Sequence, residues 1–523
     1  MTIEEHAKQL SHSEIVSILT SNQKLTTEVK ELKHQLEWFK KQIFGQKSER
    51  RPQEPDAKQL SLGESLLGEE NKDNVKTVVV AEHKRKKNHK DFGNAVEEKG
   101  LRFDETVPVT VIEIPNKEVE GLVEGQDYEV IDTKVTHRLA QKPSAYEVLR
   151  FERKVVKVFS SGDIVTPKAP EAVIEKSYAD VSFLAGMLID KFCYYQPLYR
   201  IFQKLEMSGI KVSRQTLTNL VLRTAELLKP IYDAQLESIL ESAVIAMDET
   251  PIKAGTKGNG KMNIGRFWPV YGDRGEVVFI YKESRAHKHV FDILGEYHGK
   301  LITDGYEAYD RYAEANKSVV LAACWAHARR KFVDAEGVEP ERCKKALEYI
   351  AELYSVEADI KRLGYSREDK LDYRIKHSFP IVDRLFAWLE SEMKSLALLD
   401  SSLFTIAANY VLSRTHELKV FITDPDVPID TNHLERAIRP IPMGRKNWLF
   451  CMTEVGAEAV GIVQSLLFTC KIHRINPYTY LVDILQRIDF HPISEVKLLT
   501  PRLWKDNFAE NPLRAQLDLI PKI

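Results

Sequence analysis

The chain has 523 residues, well beyond the ~150 typical of one domain, so it divides into several structural units. Hydrophobic residues at 43% and charged residues at 29% exclude a collagenous or wholly disordered chain, and five scattered cysteines exclude a disulfide framework. Lys+Arg 75 against Asp+Glu 77 leaves a net charge of -2, so any nucleic-acid partner has to be met by local patches rather than by global charge.

The N-terminus, MTIEEHAKQL, has no apolar core, and runs such as Phe183 to Ile189 are too short to span a membrane; a cytoplasmic protein with no membrane partner is expected. Ile15, Asn22, Val29, Leu36 and Ile43 recur every seven residues, with Ile18, Leu25, Leu32 and Phe39 offset by three. This a/d seam predicts a coiled coil over 1–50, and Asn22 at an a position fits a parallel pair of chains. An amphipathic helix docked on its own chain has the same pattern. Residues 51–100 are polar, carry the basic run His83 to Lys87, and read as a linker.

Over 101–170 the pattern changes to alternating β-branched stretches, VTVIEI and YEVLRFERKVVKVF, which predict a small β-rich module. Within it Lys134, Arg138, Lys142, Arg150, Arg153, Lys154 and Lys157 stand against only Glu147 and Glu152, an excess suited to a phosphate backbone. Residues 171–235 read as helical, with a turn at Gly209 and a helix capped by Ser213. That helix presents Arg214, Gln215 and Asn219 outward and packs Leu217, Leu220 and Val221 inward. The spacing suits a helix-turn-helix DNA reader, and equally a helical hairpin that touches no DNA.

SAVIAMDET, GRFWPVYGD and EVVFIYKES read as three strands, followed by a helix from His287 to Leu294 and the strand of GKLITDGYEAY. Three strands, a helix and a further strand open an RNase H-like α/β core over 240–335. An all-helical insertion follows over 336–416, the core resumes over 417–475, and a C-terminal segment occupies 476–523. Asp248 and Asp304 each end an apolar strand, at the sheet edge where ligands collect. On neighbouring strands they would hold a hard divalent cation, and Glu435 on a helix is the candidate third carboxylate for a two-ion site. Arg436, Arg439, Arg445 and Lys446 follow with no acid among them and suit a DNA backbone. Trp448 either stacks on a splayed base or caps the core. Cys324 and His327 have the spacing of half a zinc site, but no second ligand pair lies near.

MDET at 247–250, TDGYEAY at 303–309, CWAHARRKF at 324–332 and DTNHLERAIRPIPMGRKNWLF at 430–450 together resemble the large transposases of the insertion-sequence-66 family. The resemblance extends to LEWFKKQIFGQKSER and SLLFTCKIHRINPYTYL and so covers most of the chain. It implies that Asp248, Asp304 and Glu435 form an Asp-Asp-Glu triad binding two Mg²⁺ ions, with Mn²⁺ as a substitute. The implied reaction cleaves transposon ends to free 3′-hydroxyls and joins them to target DNA by transesterification. In transposases with inserted domains such a Cys-x-x-His follows the second aspartate, which implies that His327 lies near the scissile phosphate; Cys324, Asn432 and Arg436 are expected beside that site, and Ser213, Arg214 and Gln215 in the DNA reader. The implied partners are terminal inverted repeats, target DNA, at least one further copy of the chain, and accessory proteins of the same element. Many relatives have a Cys-x-x-Cys zinc module before the helical region, yet no cysteine precedes Cys193 here, so no zinc is expected. The alternatives are a non-catalytic repressor or domesticated relic, and a nuclease that cuts without joining.

Overall fold

The computed structural model describes Ser21 and residues 101–519 apart from 104–106, 143–144, 171, 257, 259–260 and 395–398. The coiled coil expected over 1–50 and the linker over 51–100 therefore lie, but for Ser21, outside the described residues.

Strand β1 (Arg102–Phe103) precedes a four-stranded sheet of β2 (Val109–Ile114), β3 (Tyr128–Lys142), β4 (Ala145–Val158) and β5 (Ile164–Val165). β3 and β4 form a long antiparallel hairpin, with β2 parallel to β4 on its other edge. The period of two sends Leu139 and Val148 to one core and Ala140, Leu149 and Phe151 to another, so both faces are covered. The three arginines of the basic strip expected on this hairpin are engaged within the fold. Arg138 is 8% exposed, lies over the Phe151 ring at 5.2 Å and donates to the Pro170 carbonyl. Arg153 donates to the Pro167 carbonyl at 3.1 Å and to Thr136 Oγ1 at 3.3 Å, and Arg150 pairs with Glu152 at 2.8 Å. Lys134 and Lys154 remain exposed.

Helix α1 (Val181–Leu188) runs into one π-helical turn (Ile189–Cys193), then come α2 (Leu198–Met207), strand β6 (Ile210–Lys211) and α3 (Arg214–Leu240). The expected plain turn between the two helices contains a strand: β6 pairs antiparallel with β1. The Ser213 hydroxyl accepts from the Thr216 amide at 3.0 Å and caps α3. α3 continues past the expected boundary at 235 and through Pro230, because its second half is buried: Gln235 donates to the Val277 carbonyl at 2.7 Å and to Thr469 Oγ1 at 3.0 Å.

The central sheet comprises β7 (Val244–Met247), β8 (Thr250–Thr256), β9 (Met262–Gly272), β10 (Glu276–Lys282), β11 (Gly299–Thr303) and β12 (Val319–Ala323). Its order is β10-β9-β7-β11-β12. β10 to β9 and β9 to β7 are antiparallel; β7 to β11 and β11 to β12 are parallel. Helix α4 (Lys288–Leu294) links β10 to β11, and α5 (Glu307–Ala315) links β11 to β12. β8 is a fourth strand ahead of α4, one more than the sequence pattern shows. β7 and β8 both lie along β9, and the register is the same on each side of the break: Met247 opposes Val270 and Thr250 opposes Phe267. Asp248 therefore faces Pro269, which has no N–H to donate to a ladder, and the strand is interrupted there.

Alternation along β7 divides the molecule in two. Ile245 and Met247 enter the core shared with α3 and the C-terminal helices, while Val244 and Ala246 enter the core of the helical insertion. The insertion consists of α6 (Trp325–Ala335), α7 (Pro340–Leu363), α8 (Arg367–Met393), α9 (Leu403–Ser413) and α10 (Thr415–Thr423). It runs past the expected boundary at 416 because α10 buries Leu418, Phe421 and Ile422. Arg374, buried in α8, forms two 2.7 Å bonds to Glu357 and donates to the carbonyls of Phe421 and Val427, fixing the returning chain. α11 (Asn432–Ile438), α12 (Pro440–Trp448) and α13 (Glu454–Ile472) bring the chain back to the sheet, where α13 covers β10. Gly461 permits that approach, since a Cβ there would run into the Phe279 carbonyl oxygen. α13 is long and apolar enough to cross a membrane, and its burial against the sheet accounts for that composition.

Candidate active site

Asp248 leaves the sheet where β7 breaks, and Asp304 leaves it at the end of the parallel neighbour β11. Ile302 pairs with Ala246, so two residues further on the aspartates stand level and side by side. Asp248 Oδ1 accepts from the Glu249 amide at 2.7 Å, and Asp304 Oδ1 accepts from the Tyr306 amide at 2.9 Å. The Tyr410 hydroxyl from α9 donates to the Asp304 carbonyl at 2.8 Å, so the insertion braces this strand end.

A third carboxylate joins them. Oxygens of Asp248, Glu249 and Asp304 all lie within 4.8 Å of one another. Glu249 belongs to the MDET motif, but the sequence pattern assigns it no role. It stands one residue from Asp248, where strict alternation would put it on the other face; only the broken strand end lets both carboxylates converge. Burial above all, and then the charges of Asp304, Glu249 and Glu435, push the Asp248 carboxyl up to about 7, against the lowering pull of the Glu249 amide. Burial and Asp304 likewise raise Glu249 above the usual carboxylate range, opposed by Arg285. The Glu249 side chain is 3% exposed and is ion-paired with Arg285.

Glu435 sits in the first turn of α11, close enough to act on Asp248 electrostatically but outside the tight cluster. Its carboxylate takes two bonds from Arg330, at 2.8 and 3.0 Å, and lies 3.7 Å from His327 Nε2. Burial lowers the His327 pKa, with Asp304 and Glu435 pulling the other way, so the imidazole lies between two of the acids. Cys324 is fully buried at the N-cap of α6, and its sulfur accepts from the amide and hydroxyl of Thr431, each at 3.2 Å. With the Trp325 amide donating to the Ile429 carbonyl at 3.1 Å, this clasp fixes the start of α11 and hence Glu435. The thiol is thus a positioning group, and burial raises its pKa.

The remaining expected site residues divide. Asn432 is turned onto Asp430, which also accepts from Tyr354. Arg436, Arg439 and Lys446 are exposed, whereas Arg445 donates to the Pro251 carbonyl and ties α12 to β8. Trp448 packs on Gly444, meets Phe192 edge-on at 6.2 Å and takes Lys191 over its ring at 4.5 Å, contacts that belong to the core-capping one of its two readings. Arg214 and Gln215 are exposed on α3, with Arg214 stacked over Tyr199 at 4.5 Å and Gln215 donating to Asn219 at 2.9 Å. Ser213 uses its hydroxyl as a helix cap.

Paired strand-end aspartates, with a helical glutamate within electrostatic reach, make a cluster of hard oxygen donors. Residues 176–459 match the family described as Transposase IS66 family, and residues 465–501 match its IS66 C-terminal element. Residues 31–92 match the family described as Transposase C of IS166 homeodomain, a span that takes in the end of the expected coiled coil and most of the expected linker. Among similar proteins, y4jD of Sinorhizobium fredii (strain NBRC 101917 / NGR234) is 31% identical over 360 residues, covering 65% of this chain and 69% of that one. From the same organism, y4qI is 30% identical over 406 residues, 74% of each chain. Both carry the name uncharacterized protein. The chain belongs to the IS66 family of transposases.

Proposed function

We propose that the protein is a DNA transposase of the Asp-Asp-Glu type, with Asp248, Asp304 and Glu435 as its catalytic carboxylates. The observation that carries this is the level placement of Asp248 and Asp304 at adjacent parallel strand ends, with Glu435 within electrostatic reach. The sheet order, with two antiparallel strands on one side of β7 and two parallel strands on the other, supports an RNase H-like core interrupted by the helical insertion.

The donor set fits Mg²⁺ or Mn²⁺: it is all hard oxygen, and the buried, mutually repelling carboxylates that raise Asp248 are relieved by a divalent cation. Zinc has no place in this reading. When bound, a pair of such ions supplies charge neutralisation at the scissile phosphate and a lower pKa for the attacking oxygen. Asp248 and Asp304 would hold such ions from the sheet, and Glu435, bonded here to Arg330, would hold them from α11. His327 stands beside Glu435, its Nε2 3.7 Å from the carboxylate. Arg436, Arg439 and Lys446 line the approach and take backbone phosphates, while Arg214 and Gln215 on α3 read sequence. Water displaces the 3′-oxygen of the transposon end at phosphorus. The freed 3′-hydroxyl then attacks a target phosphate and displaces another 3′-oxygen, so one phosphodiester replaces another and no ATP is consumed. The reaction needs two DNA ends, so at least two copies of the chain act together.

The test uses the full chain, Mg²⁺ and DNA carrying the terminal inverted repeats of the element. Wild-type protein yields cleaved ends and joined products. Asp248→Asn, Asp304→Asn and Glu435→Gln each lower both by about 10³-fold or more while DNA affinity changes little. Full strand transfer by any of the three would sink the assignment.

A further inference from the structure

Arg285 lies between β10 and α4, in a stretch that the sequence pattern does not single out. Three contacts fix it beside the acidic cluster. Its guanidinium is paired with Glu249, whose side chain is 3% exposed and whose oxygens lie within 4.8 Å of those of Asp248 and Asp304. It lies 4.0 Å from the centre of the Tyr306 ring. The Tyr306 hydroxyl donates to the Arg285 carbonyl at 2.7 Å, and the Tyr306 amide donates to Asp304 Oδ1 at 2.9 Å. Arg285 is thus tied through Tyr306 to one catalytic aspartate and through Glu249 to the other.

A plain structural ion pair would not need this arrangement. Glu249 Oε2 is buried without a hydrogen-bond partner, so the pair leaves half of the carboxylate unsatisfied. Meanwhile 43% of the Arg285 side chain faces solvent. A guanidinium presents five donors in a rigid plane, and this one is held by a stacked ring and a carboxylate while part of the side chain stays open to solvent. An exposed, immobilised cation at the rim of a carboxylate centre matches a substrate that brings its own negative charge there.

Resting on the transposase reading above, we propose that Arg285 is a catalytic residue that binds a non-bridging oxygen of the scissile phosphate, with Glu249 and Tyr306 as its positioning residues. The fork meets charge that grows on the phosphoryl oxygens during in-line displacement, and Glu249 keeps it from swinging onto neighbouring phosphates of the duplex.

The experiment uses the full chain, Mg²⁺ and inverted-repeat DNA, scoring cleavage and joining. Arg285→Ala lowers kcat by about 10²-fold with KM within about threefold, Arg285→Lys recovers only part, and added guanidinium ion restores part of the Arg285→Ala rate. A neutral methylphosphonate at the scissile position removes most of the difference between wild type and Arg285→Ala, because the charge that Arg285 meets is gone. Tyr306→Phe gives a smaller loss of the same kind, and this exposed edge is safe to alter where the buried Glu249 is not. An active wild type with an unaffected Arg285→Ala overturns this inference alone, as does a defect in Arg285→Ala that methylphosphonate and guanidinium leave unchanged. A wild type that neither cleaves nor joins overturns the transposase reading and this inference with it.

Discussion

The broken end of β7 and the β3–β4 hairpin both concentrate charge of one sign, and the fold treats them in opposite ways. Along the hairpin, Arg138 and Arg153 reach the carbonyls of Pro170 and Pro167 and Arg150 reaches Glu152, so the three arginines are partnered within the chain while Lys134 and Lys154 stay exposed. At the strand end, Asp248, Glu249 and Asp304 are held together with Arg285 opposing them from the rim, and Asp248 still rises to about 7. Charge that the fold ties down with its own hydrogen bonds is structural. Charge that it leaves opposed to itself awaits something from outside, and this separates the two regions more sharply than their composition does.

Asp248 is where that contrast bears most heavily on stability. Its folded pKa lies above the ordinary value of 3.8, so between that value and about 7 the folded state binds the proton and the unfolded state does not. Its contribution to stability is then fully present below about pH 4 and is lost as pH rises through 7, by an amount on the order of 2–4 kcal/mol. Denaturant titrations of the metal-free protein at pH 5 and pH 8 measure this. Asp248→Asn flattens the pH dependence and Mg²⁺ restores stability at pH 8; an unchanged slope in Asp248→Asn would refute the electrostatic account.

The hairpin offers the converse. Arg138→Ala leaves the Pro170 carbonyl and the Phe151 face without their partner and lowers stability by about 1–3 kcal/mol. It leaves the salt dependence of DNA binding as it was. Replacing the exposed Lys134 and Lys154 by alanine does the opposite, leaving melting unchanged and flattening the log-log salt slope by up to ~0.9 for each phosphate that is no longer neutralised. Thermal melts and binding isotherms at several salt concentrations separate the two, and a flattened slope in Arg138→Ala would overturn the distinction.

The smallest effect belongs to Cys324. Cys324→Ser keeps an acceptor for Thr431 on a shorter bond and costs about 1 kcal/mol or less. Cys324→Ala removes the acceptor, loosens the start of α11, and lowers strand transfer about tenfold without altering DNA affinity. Equal activity of the two variants would show that the clasp does not position Glu435.

What the sequence discloses follows the same division. Asp248 and Asp304 are legible because each ends a short apolar run, a local pattern, and Ser213 because a capping residue precedes a helical period. β8 is not, since TPIKAGT carries Pro251 and Gly255 and lacks a strand's usual composition; it is a strand because β9 lies beside it. Glu249 and Arg285 escape for another reason. Their significance lies in a contact between segments distant in the chain, and a lone Arg after a strand has no spacing to mark it. For Trp448 and Arg445 the basic neighbourhood leaves exposure and packing equally open, because contact with Phe192 and Pro251 leaves no mark on the local sequence.

The Cys324–Thr431 clasp has a consequence for how such a chain can change over time. Its partners stand 107 positions apart, yet the backbone departs and returns through one narrow gate, with Trp325 bonded to Ile429 beside it. Everything between is a parenthesis in the sentence of the sheet. Ring-closure entropy grows only logarithmically, so doubling the enclosed length would cost roughly 0.6 kcal/mol. The clause inside the brackets can therefore change length at little entropic cost, provided the two brackets still meet and Tyr410 still reaches the Asp304 carbonyl.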